Sequence, residues 1–513
     1  MRKLVNNIDL NKLKLILICT LIFMVVAHGY CYVNLNFSHD SMRTFFWTKS
    51  DTLEIGRYMI PVFLLIRGKY YPPLLVGTLT YLFLSIIIYI LVDIFKVRRK
   101  LNIILISGIL STASTLTLLN ATYIDFSDVY MFGILLMTLG SYICIKMKRG
   151  YIYAIIPVLI SLALYQSYIC FFIGIIMLFY IKEILDNKNT KEIFIRGLKS
   201  IITIIVSLII YAISLKVVTL VTGIGLANKY NSVSGIGNFG SINNMFNLLI
   251  GTYQYTYHYI INPSTYYKTI VSILNILMLI IAIGICILSS RKNKLKNGNK
   301  YLLLILTLLL PFGINMVYFI GKGIEHELMI YSLFLLYVFM IAMLEYVNNH
   351  KSTKNKNPIK YITYFTNISL FLIIFSGVIY SNQCYLKKNL EFDTTLTTMN
   401  RVVDRIEQIE GYEVGKTKVA IIGSLANSKL SLKRREFDYE AVGLGENFSL
   451  TYYKNYKQYF ENYLSYPINI VPEEKSEKYK NKQEVKKMKE FPHKDSIKMI
   501  GDTIIVKLSM MDN

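Results

Sequence analysis

The sequence of 513 residues contains few acidic residues, a single tryptophan and six cysteines that form no pattern. Only Cys384 lies in a polar stretch, while the other five lie in or at the edges of apolar runs. Because neither paired nor metal-type spacing is present, the cysteines exclude a disulfide framework and a zinc site. There are 32 acidic residues against 56 lysines and arginines, so the formal net charge is +24.

This positive charge is distributed in a way that argues against nucleic-acid binding. Hydrophobic residues make up 54% of the chain and the mean hydropathy is +0.43, values typical of a membrane protein with many spans. Most of the excess charge lies in short clusters between apolar runs, such as KVRRK, KMKRG and RKNKLKNGNK. Such clusters are expected in loops held on the cytoplasmic side of a membrane.

The apolar runs predict eleven membrane-spanning helices, since a span needs about 20 apolar residues. They cover approximately 13–33, 74–95, 101–119, 129–145, 151–164, 167–182, 200–221, 269–289, 301–320, 327–346 and 362–381. If the N-terminus is cytoplasmic, the basic clusters all fall in inside segments, whereas the outside segment 120–128 has no lysine or arginine. The C-terminal part is then extracytoplasmic.

The composition changes to mixed charge after residue 381, which predicts two domains: a membrane domain at 1–381 and a small α/β domain at 382–513. In the second domain we expect a helix over 391–410, a helical stretch over 449–464 and buried strands at 418–423 and 503–508. The predicted fold is therefore an α-helical polytopic membrane protein with a small α/β extracytoplasmic domain.

The acidic residues of the membrane domain lie at span ends and in loops, with almost none in the middle of a span. This distribution disfavours an ion-coupled transporter, which carries ionisable groups near the midplane. It favours an enzyme that works at the membrane–water boundary.

The first outside loop, residues 36–57, contains His39, Asp40 and Asp51. A partly desolvated carboxylate there can act as a general base, although Ser38 or Asp40 could equally cap a short helix over 41–49.

Several cations lie on the otherwise weakly basic outer side. A phosphate bound at that face would need such partners, and arginine can bind it through two hydrogen bonds. Anchoring to phospholipid headgroups explains the same residues equally well. The candidates are Arg43, Arg57, Arg67, Lys69, Lys322 and His326.

Other outer-face residues are candidates for binding a substrate with hydroxyl groups. Asp125 and Asp128 could hold such groups, but Asp128 could also cap the fourth span. Tyr165 and Gln166 could hydrogen-bond a substrate, or form an ordinary interfacial turn. Glu325 and Glu327 are acids of the same outer face, and Glu325 is taken as a further candidate.

The segment Gly235–Gly240 matches the GxGxxG pattern of nucleotide-binding loops. It has no preceding strand in a βαβ unit and lies in a predicted outside loop, so we reject a nucleotide site. The tyrosine-rich stretch TYQYTYHYIINPSTYY follows it. These rings could stack on a sugar or a lipid chain, but an interfacial aromatic belt explains most of them.

Several short motifs, taken in order, resemble those of the Gtr type II-like bacterial membrane glucosyltransferases. They are NLNFSHDS and GRY around the first outside loop, YQSYI, GKGIEHELM, NQCY and the closing FPHKDSIKMIGDTIIVKL. The resemblance runs over most of the chain, and the family is similar to other GT-C glycosyltransferases.

The resemblance implies a fold, an activity and a site. It implies transfer of a sugar, commonly glucose, from a polyprenyl-phosphate carrier to an envelope polysaccharide such as O-antigen or teichoic acid. It also implies a location in the bacterial cytoplasmic membrane and a catalytic acid in the first outside loop, which falls on Asp40 or Asp51. No cofactor and no essential metal are expected, and a divalent metal is left open. The alternatives are a flippase or transporter, or a polymerase or ligase, of lipid-linked polysaccharide.

Overall fold

The computed structural model describes residues 9–34, 42, 50–227, 240–349, 357–425, 428, 430 and 453–509, without the side chains of 50, 51, 357, 358, 453 and 454. Contacts divide these residues into two compact units. The first contains the described residues of 1–33, 47–119 and 125–382. The second contains those of 34–46, 120–124 and 383–513.

Helices form almost all of the first unit. Those in its first half are α1 (Leu10–Val33), α2 (Ser50–Leu53), α3 (Met59–Arg67), α4 (Pro73–Ile94), α5 (Lys100–Ser111), α6 (Ser114–Tyr123), α7 (Ser127–Lys146), α8 (Gly150–Tyr153), α9 (Ile155–Leu164) and α10 (Ile169–Leu185). The later ones are α11 (Thr190–Thr222), α12 (Ile242–Ile261), α13 (Lys268–Lys292), α14 (Asn297–Ile314), α15 (Met316–Ile320), α16 (Leu335–Asn349) and α17 (Asn357–Glu407). Residues 120–123 of α6 and 383–407 of α17 belong to the second unit.

Nine helical segments of the described residues are long and apolar enough to cross a membrane. This confirms the predicted polytopic helical membrane protein. The difference from eleven has two sources. The predicted spans 101–119 and 129–145 are counted together, because α5, α6 and α7 follow one another almost without interruption over Lys100–Lys146. The predicted span 151–164 corresponds to the shorter apolar stretch Gly150–Leu164, which comprises α8 and α9.

Local sequence signals explain several helix ends. The side chain of Asn189 accepts a hydrogen bond from the backbone of Lys191 and caps α11, which ends at Gly223 in the left-handed conformation (φ +69°). Ser241 caps α12 in the same way. At α5, the carboxylate of Glu345 accepts the backbone N–H groups of Arg98 and Arg99 at 2.8 and 3.1 Å. A distant acid thus satisfies donors that the helix itself leaves unpaired.

Small and polar residues allow the spans to approach closely. A Cβ atom at Gly77 would lie 2.5 Å from the ring of Tyr32, so only glycine permits this contact between α4 and α1. The buried ring of His28 is 2.7 Å from the backbone oxygen of Ser111. Such contacts stabilise helix packing where lipid provides no hydrophobic driving force.

The second unit contains a four-stranded sheet of order β2-β1-β4-β3, built from β1 (Lys418–Ile422), β2 (Asn469–Ile470), β3 (Ile497–Ile500) and β4 (Thr503–Lys507). Strand β1 is parallel to β2 and β4, while β3 and β4 are antiparallel. The other helices are α18 (Tyr453–Gln458), α19 (Glu473–Lys480) and α20 (Gln483–Lys487), with a π-helical turn at Tyr459–Tyr463. The predicted strands at 418–423 and 503–508 are confirmed.

Two long segments differ from the sequence-based expectation. The helix predicted over 391–410 is not separate, because α17 continues without a break from Asn357 to Glu407. The predicted outside loop 222–268 contains α12, which includes most of the tyrosine-rich stretch. The stretches 35–41, 43–49 and 228–239 lie outside the described residues, and they include the predicted cap at Ser38 or Asp40, most of the short helix predicted over 41–49 and most of the GxGxxG segment.

A candidate active site at the predicted outer face

The turn between α2 and α3 carries the motif Gly56–Arg57–Tyr58. Its backbone is closed by hydrogen bonds from Gly56 N to Leu53 O and from Arg57 N to Thr52 O, both of 2.9 Å. Gly56 has φ +80°, a left-handed conformation that a residue without a Cβ atom adopts readily. The glycine therefore directs the chain so that Arg57 follows a tight turn.

The side chain of Gln166 holds this turn in place. Its Nε2 atom donates to Ile55 O at 3.2 Å and to the hydroxyl oxygen of Tyr211 at 2.7 Å. The Tyr211 hydroxyl in turn donates to Gly56 O at 2.9 Å, and its ring stacks on that of Tyr58. Two motifs that lie more than a hundred residues apart, GRY and YQSYI, thus form one hydrogen-bonded unit.

The guanidinium group of Arg57 lies between two buried tyrosines. It donates a hydrogen bond of 2.9 Å to the hydroxyl of Tyr130, and its central carbon lies 4.4 Å from the ring centre of Tyr165. Both tyrosines are almost fully buried and their rings are 4.7 Å apart. A cation held by a hydrogen bond and a π face keeps its charge in a fixed position.

A second arginine is neutralised at the start of α7. The Nε atom of Arg67 lies 3.6 Å from a carboxylate oxygen of Asp128, and its Nη2 atom donates to the backbone oxygen of Asp125 at 3.1 Å. The Arg67 and Asp128 side chains are 3% and 0% exposed, so the pair is buried. Asp128 also accepts the adjacent backbone N–H of Val129, and the residue at the N-cap of α7 is Phe126. Asp128 therefore forms an ion pair and does not act as the predicted cap.

A third group of polar residues precedes α16. The carboxylate of Glu327 accepts hydrogen bonds from the hydroxyls of Ser114 and Ser264. Burial raises the pKa of Glu327, while these hydroxyls and the charge of Lys268 act in the opposite direction. The two serines come from the start of α6 and from the segment before α13, so one carboxylate joins three parts of the chain.

The neighbouring Glu325 is less well compensated. Burial raises the pKa of Glu325 to about 8, against the effect of Asn315 and Tyr259 nearby. Neither of its carboxylate oxygens has a hydrogen bond of regular geometry among the described residues. Burial also lowers the pKa of His326. Lys322, by contrast, is exposed and has a left-handed backbone (φ +55°).

An apolar cavity of about 500 Å³ begins at Ser114 and Glu327. It follows one face of α13, where the lining residues recur every three or four positions from Asn275 to Ser290, and it reaches Arg291. This stretch of helix is about 24 Å long at 1.5 Å per residue. The cavity therefore runs through most of the thickness of a bilayer core, with polar residues at both ends.

The structure brings some of the predicted site residues together and not others. Arg57, Tyr165 and Gln166 form one cluster, Asp125 and Asp128 lie with Arg67, and Glu325 and His326 adjoin Glu327. His39, Asp40 and Arg43 lie outside the described residues, as does the side chain of Asp51. Asp40 and Asp51 thus remain predicted catalytic residues. Among the described residues, no three potential metal ligands cluster.

Sequence reasoning did not identify several residues that complete these clusters. Tyr130 and Tyr211 are single tyrosines within helices, and nothing in their local sequence sets them apart. Glu327 was noted as an outer-face acid but not as part of a site. Arg67 and Asp128 were both predicted to lie at the outer face, but their pairing was not predicted, although each is a charge at the end of an apolar stretch on the same predicted side of the membrane.

The comparisons with known proteins identify the family. Comparison with curated proteins and with solved structures gives no match. The family model described as glucosyl transferase GtrII matches residues 29–343, more than half of the chain. The matched region includes the Gly56–Arg57–Tyr58 turn, the start of α7, and Glu325, His326 and Glu327 before α16. This confirms the resemblance, and the chain belongs to the GtrII glucosyl transferase family of membrane glucosyltransferases.

Proposed function

We propose that this protein transfers glucose from a polyprenyl-phosphate carrier to a cell-envelope polysaccharide at the outer face of the bacterial cytoplasmic membrane. The family supports the glucosyltransferase activity. The carrier, the acceptor and the face of the membrane are our proposal. The observation that carries it is the placement of Arg57, a cation held by Tyr130 and Tyr165 in a segment that the charge pattern predicts to be outside.

The reaction is a single displacement at the anomeric carbon of glucose. The oxygen of an acceptor hydroxyl forms the new bond, and its proton passes to the carboxylate of Asp40. The bond between the anomeric carbon and the phosphate oxygen breaks, and the polyprenyl phosphate leaves with the electron pair. The product has the opposite anomeric configuration.

Arg57 stabilises the negative charge that develops on the leaving phosphate. A preorganised cation is effective in this role because it needs no rearrangement during the reaction. Arg67 is less suited to it, since its charge is already balanced by Asp128. Arg43 and Lys322 are further candidates for contacting the phosphate, and Gln166 acts indirectly by positioning the turn that carries Arg57.

A lipid-linked donor also needs an apolar surface for its chain. The cavity along α13 has an apolar lining and polar groups at its predicted outer end, where Ser114 and Glu327 lie. A prenyl chain in this cavity would place its phosphate near the outer polar residues. These features support a lipid carrier over a soluble sugar nucleotide.

The proposal is tested in membranes that contain the full-length chain, radiolabelled polyprenyl-phosphate glucose and crude envelope polysaccharide. We expect Asp40→Asn to abolish transfer and Glu413→Gln, an exposed carboxylate of the second unit, to leave it unchanged. Asp51→Asn in parallel distinguishes the two candidate bases. Transfer by Asp40→Asn at the wild-type rate would contradict the assignment of the base.

The same membranes separate the enzyme from its main alternative. If the wild type moves the lipid-linked sugar across the bilayer but never forms radiolabelled polysaccharide, the protein is a transporter and the proposal is wrong. Transfer from a soluble nucleotide sugar in place of the lipid-linked donor would contradict the lipid carrier alone.

A further inference from the structure

A polar pocket lies at the end of α7 opposite to the end that carries Asp128. It has a volume of about 370 Å³ and is bounded by the end of α7, the start of α8 and the first turns of α11. This size is within the range of small-ligand pockets. Its lining contains four cations and no acid: Lys146, Lys148, Arg196 and Lys199.

The turn between α7 and α8 creates this pocket. Gly150 closes the turn by donating to Met147 O at 3.0 Å. A Cβ atom at Gly150 would lie 2.0 Å from the oxygen of Ile143, so only glycine allows the chain to fold back this tightly. Tyr151, one residue later, is fixed by a hydrogen bond from Thr203 to its backbone oxygen at 2.7 Å. The turn thus brings residues of α7 and α8 opposite α11.

Two of the four cations are neutralised within the protein. Lys146 forms an ion pair of 2.9 Å with Asp93, and Arg196 forms one of 2.8 Å with Glu183 and a longer one of 3.9 Å with Glu192. These pairs fix the walls of the pocket and leave no net charge of their own.

The other two cations have no carboxylate partner among the described residues. Lys199 lies over the ring of Tyr151, with its Nζ atom 5.3 Å from the ring centre. Lys148 is exposed at the tip of the turn. The pocket therefore carries about two uncompensated positive charges, beside the apolar residues Ile145 and Met147. Met147 is 38% exposed.

We propose that this pocket binds a phosphate-bearing anion, with the phosphate between Lys148 and Lys199. Its position, where the apolar parts of α7 and α11 end, is the depth at which phospholipid headgroups lie, and basic pockets between helices are typical of headgroup sites. Ile145 and Met147 would contact the first carbons of an acyl chain. This site is separate from the proposed transfer reaction and does not depend on it.

The test uses the full-length protein in detergent and native mass spectrometry. Phosphatidylglycerol and phosphatidylcholine are titrated in parallel, and inorganic phosphate is added at millimolar concentration in a third arm. We expect one phosphatidylglycerol to bind in preference to phosphatidylcholine. Each cation near an anionic headgroup contributes about a factor of five, so Lys148→Gln with Lys199→Gln should weaken binding about 25-fold.

A matched pair of charge removals controls for the overall field of the protein. Lys294→Gln with Lys360→Gln removes two exposed cations outside the pocket and should leave the preference unchanged. Amine labelling of the wild type, with and without phosphatidylglycerol, provides a measurement that does not depend on the folding of a variant. Protection of Lys148 and Lys199 relative to Lys360 supports the site.

The outcomes separate the sources of the anion. Preference for phosphatidylglycerol that survives added phosphate supports a lipid headgroup, and displacement by inorganic phosphate supports a soluble phosphate. The proposal is overturned if both lipids bind equally and inorganic phosphate neither displaces them nor protects Lys148 and Lys199 from amine labelling. It is also overturned if the control pair, Lys294→Gln with Lys360→Gln, weakens binding as much as Lys148→Gln with Lys199→Gln does.

Discussion

Arg57 is the described residue whose replacement should affect transfer most strongly. If it stabilises the leaving phosphate, Arg57→Gln removes one preorganised group that acts on developing charge. Removal of such a group costs about 2.7–4 kcal/mol, or a factor of about 10²–10³ in kcat. Because the guanidinium is held by Tyr130 and Tyr165 before substrate binds, the loss should appear mainly in kcat.

Two further variants test whether the fixed position of the charge matters. Arg57→Lys keeps a positive charge but loses the planar contact with Tyr165 and the possibility of two parallel hydrogen bonds to phosphate. We expect a loss of about 10-fold to 10²-fold, between those of the wild type and Arg57→Gln. Tyr130→Phe removes a single hydrogen bond to the guanidinium, worth about 0.5–1.5 kcal/mol, and should reduce kcat by a factor of about 2–10.

The assay follows transfer from the radiolabelled lipid-linked donor over a range of donor concentrations. Lys216→Gln, which removes an exposed cation near the end of α11, is the matched control and should retain full activity. The reasoning is refuted if Arg57→Gln stays within threefold of the wild type, or if Lys216→Gln loses as much. A large rise in KM without a change in kcat would mean that Arg57 binds the donor but does not act on the transition state.

Three further outcomes follow from charges at the predicted outer face and from the topology. With the pKa of Glu325 raised from 4.5 to about 8, the folded state keeps a proton that the unfolded state loses. Stability should therefore fall as pH rises from about 4.5 to 8, and Glu325→Gln should flatten this dependence in thermal unfolding; an equal slope in both proteins contradicts it. Arg67→Gln leaves the buried Asp128 carboxylate unpaired and should lower the free energy of unfolding by about 3 kcal/mol. Adding Asp128→Asn to the same chain should restore at least half of this loss, and a loss equal to the sum of those of the two single variants contradicts the pairing. A cysteine at the half-exposed Val414 should be labelled from outside the cell, and one at Met147 only after permeabilisation; the reverse pattern inverts the topology.

The membrane part of the fold could be predicted because hydropathy and the distribution of basic residues act over whole segments. A run of about 20 apolar residues must form a helix in lipid, whatever its neighbours are. The short helix α3 was not predicted, because its nine residues, Met59–Arg67, are too few to span a membrane and hydropathy therefore carries no signal for it. α12 was missed because its tyrosines and asparagines lower its hydropathy below that of a span.

The site could be predicted as a set of residues but not as an arrangement. Arg57, Tyr165 and Gln166 were all placed on the outer side, yet nothing in the sequence states that Gln166 bonds to the turn that carries Arg57. That contact depends on how α3, α10 and α11 pack, and packing is decided by shape over many residues. Arg67 and Arg57 look alike in sequence, but Arg67 forms an ion pair with Asp128 whereas Arg57 donates a hydrogen bond to Tyr130.

The position of Arg57 also bears on which carboxylate takes the proton. In a single displacement the attacking hydroxyl and the leaving phosphate lie on opposite sides of the anomeric carbon. The backbone oxygen of Thr52 accepts a hydrogen bond from Arg57 N at 2.9 Å, so the residue that follows Asp51 is tied to the arginine assigned to the phosphate. A base belongs on the other side, and a negative charge beside the phosphate would oppose its binding. Asp40 lies eleven residues earlier in the chain. We therefore expect Asp40 to be the base, and transfer by Asp40→Asn and Asp51→Asn measured in parallel decides between the two.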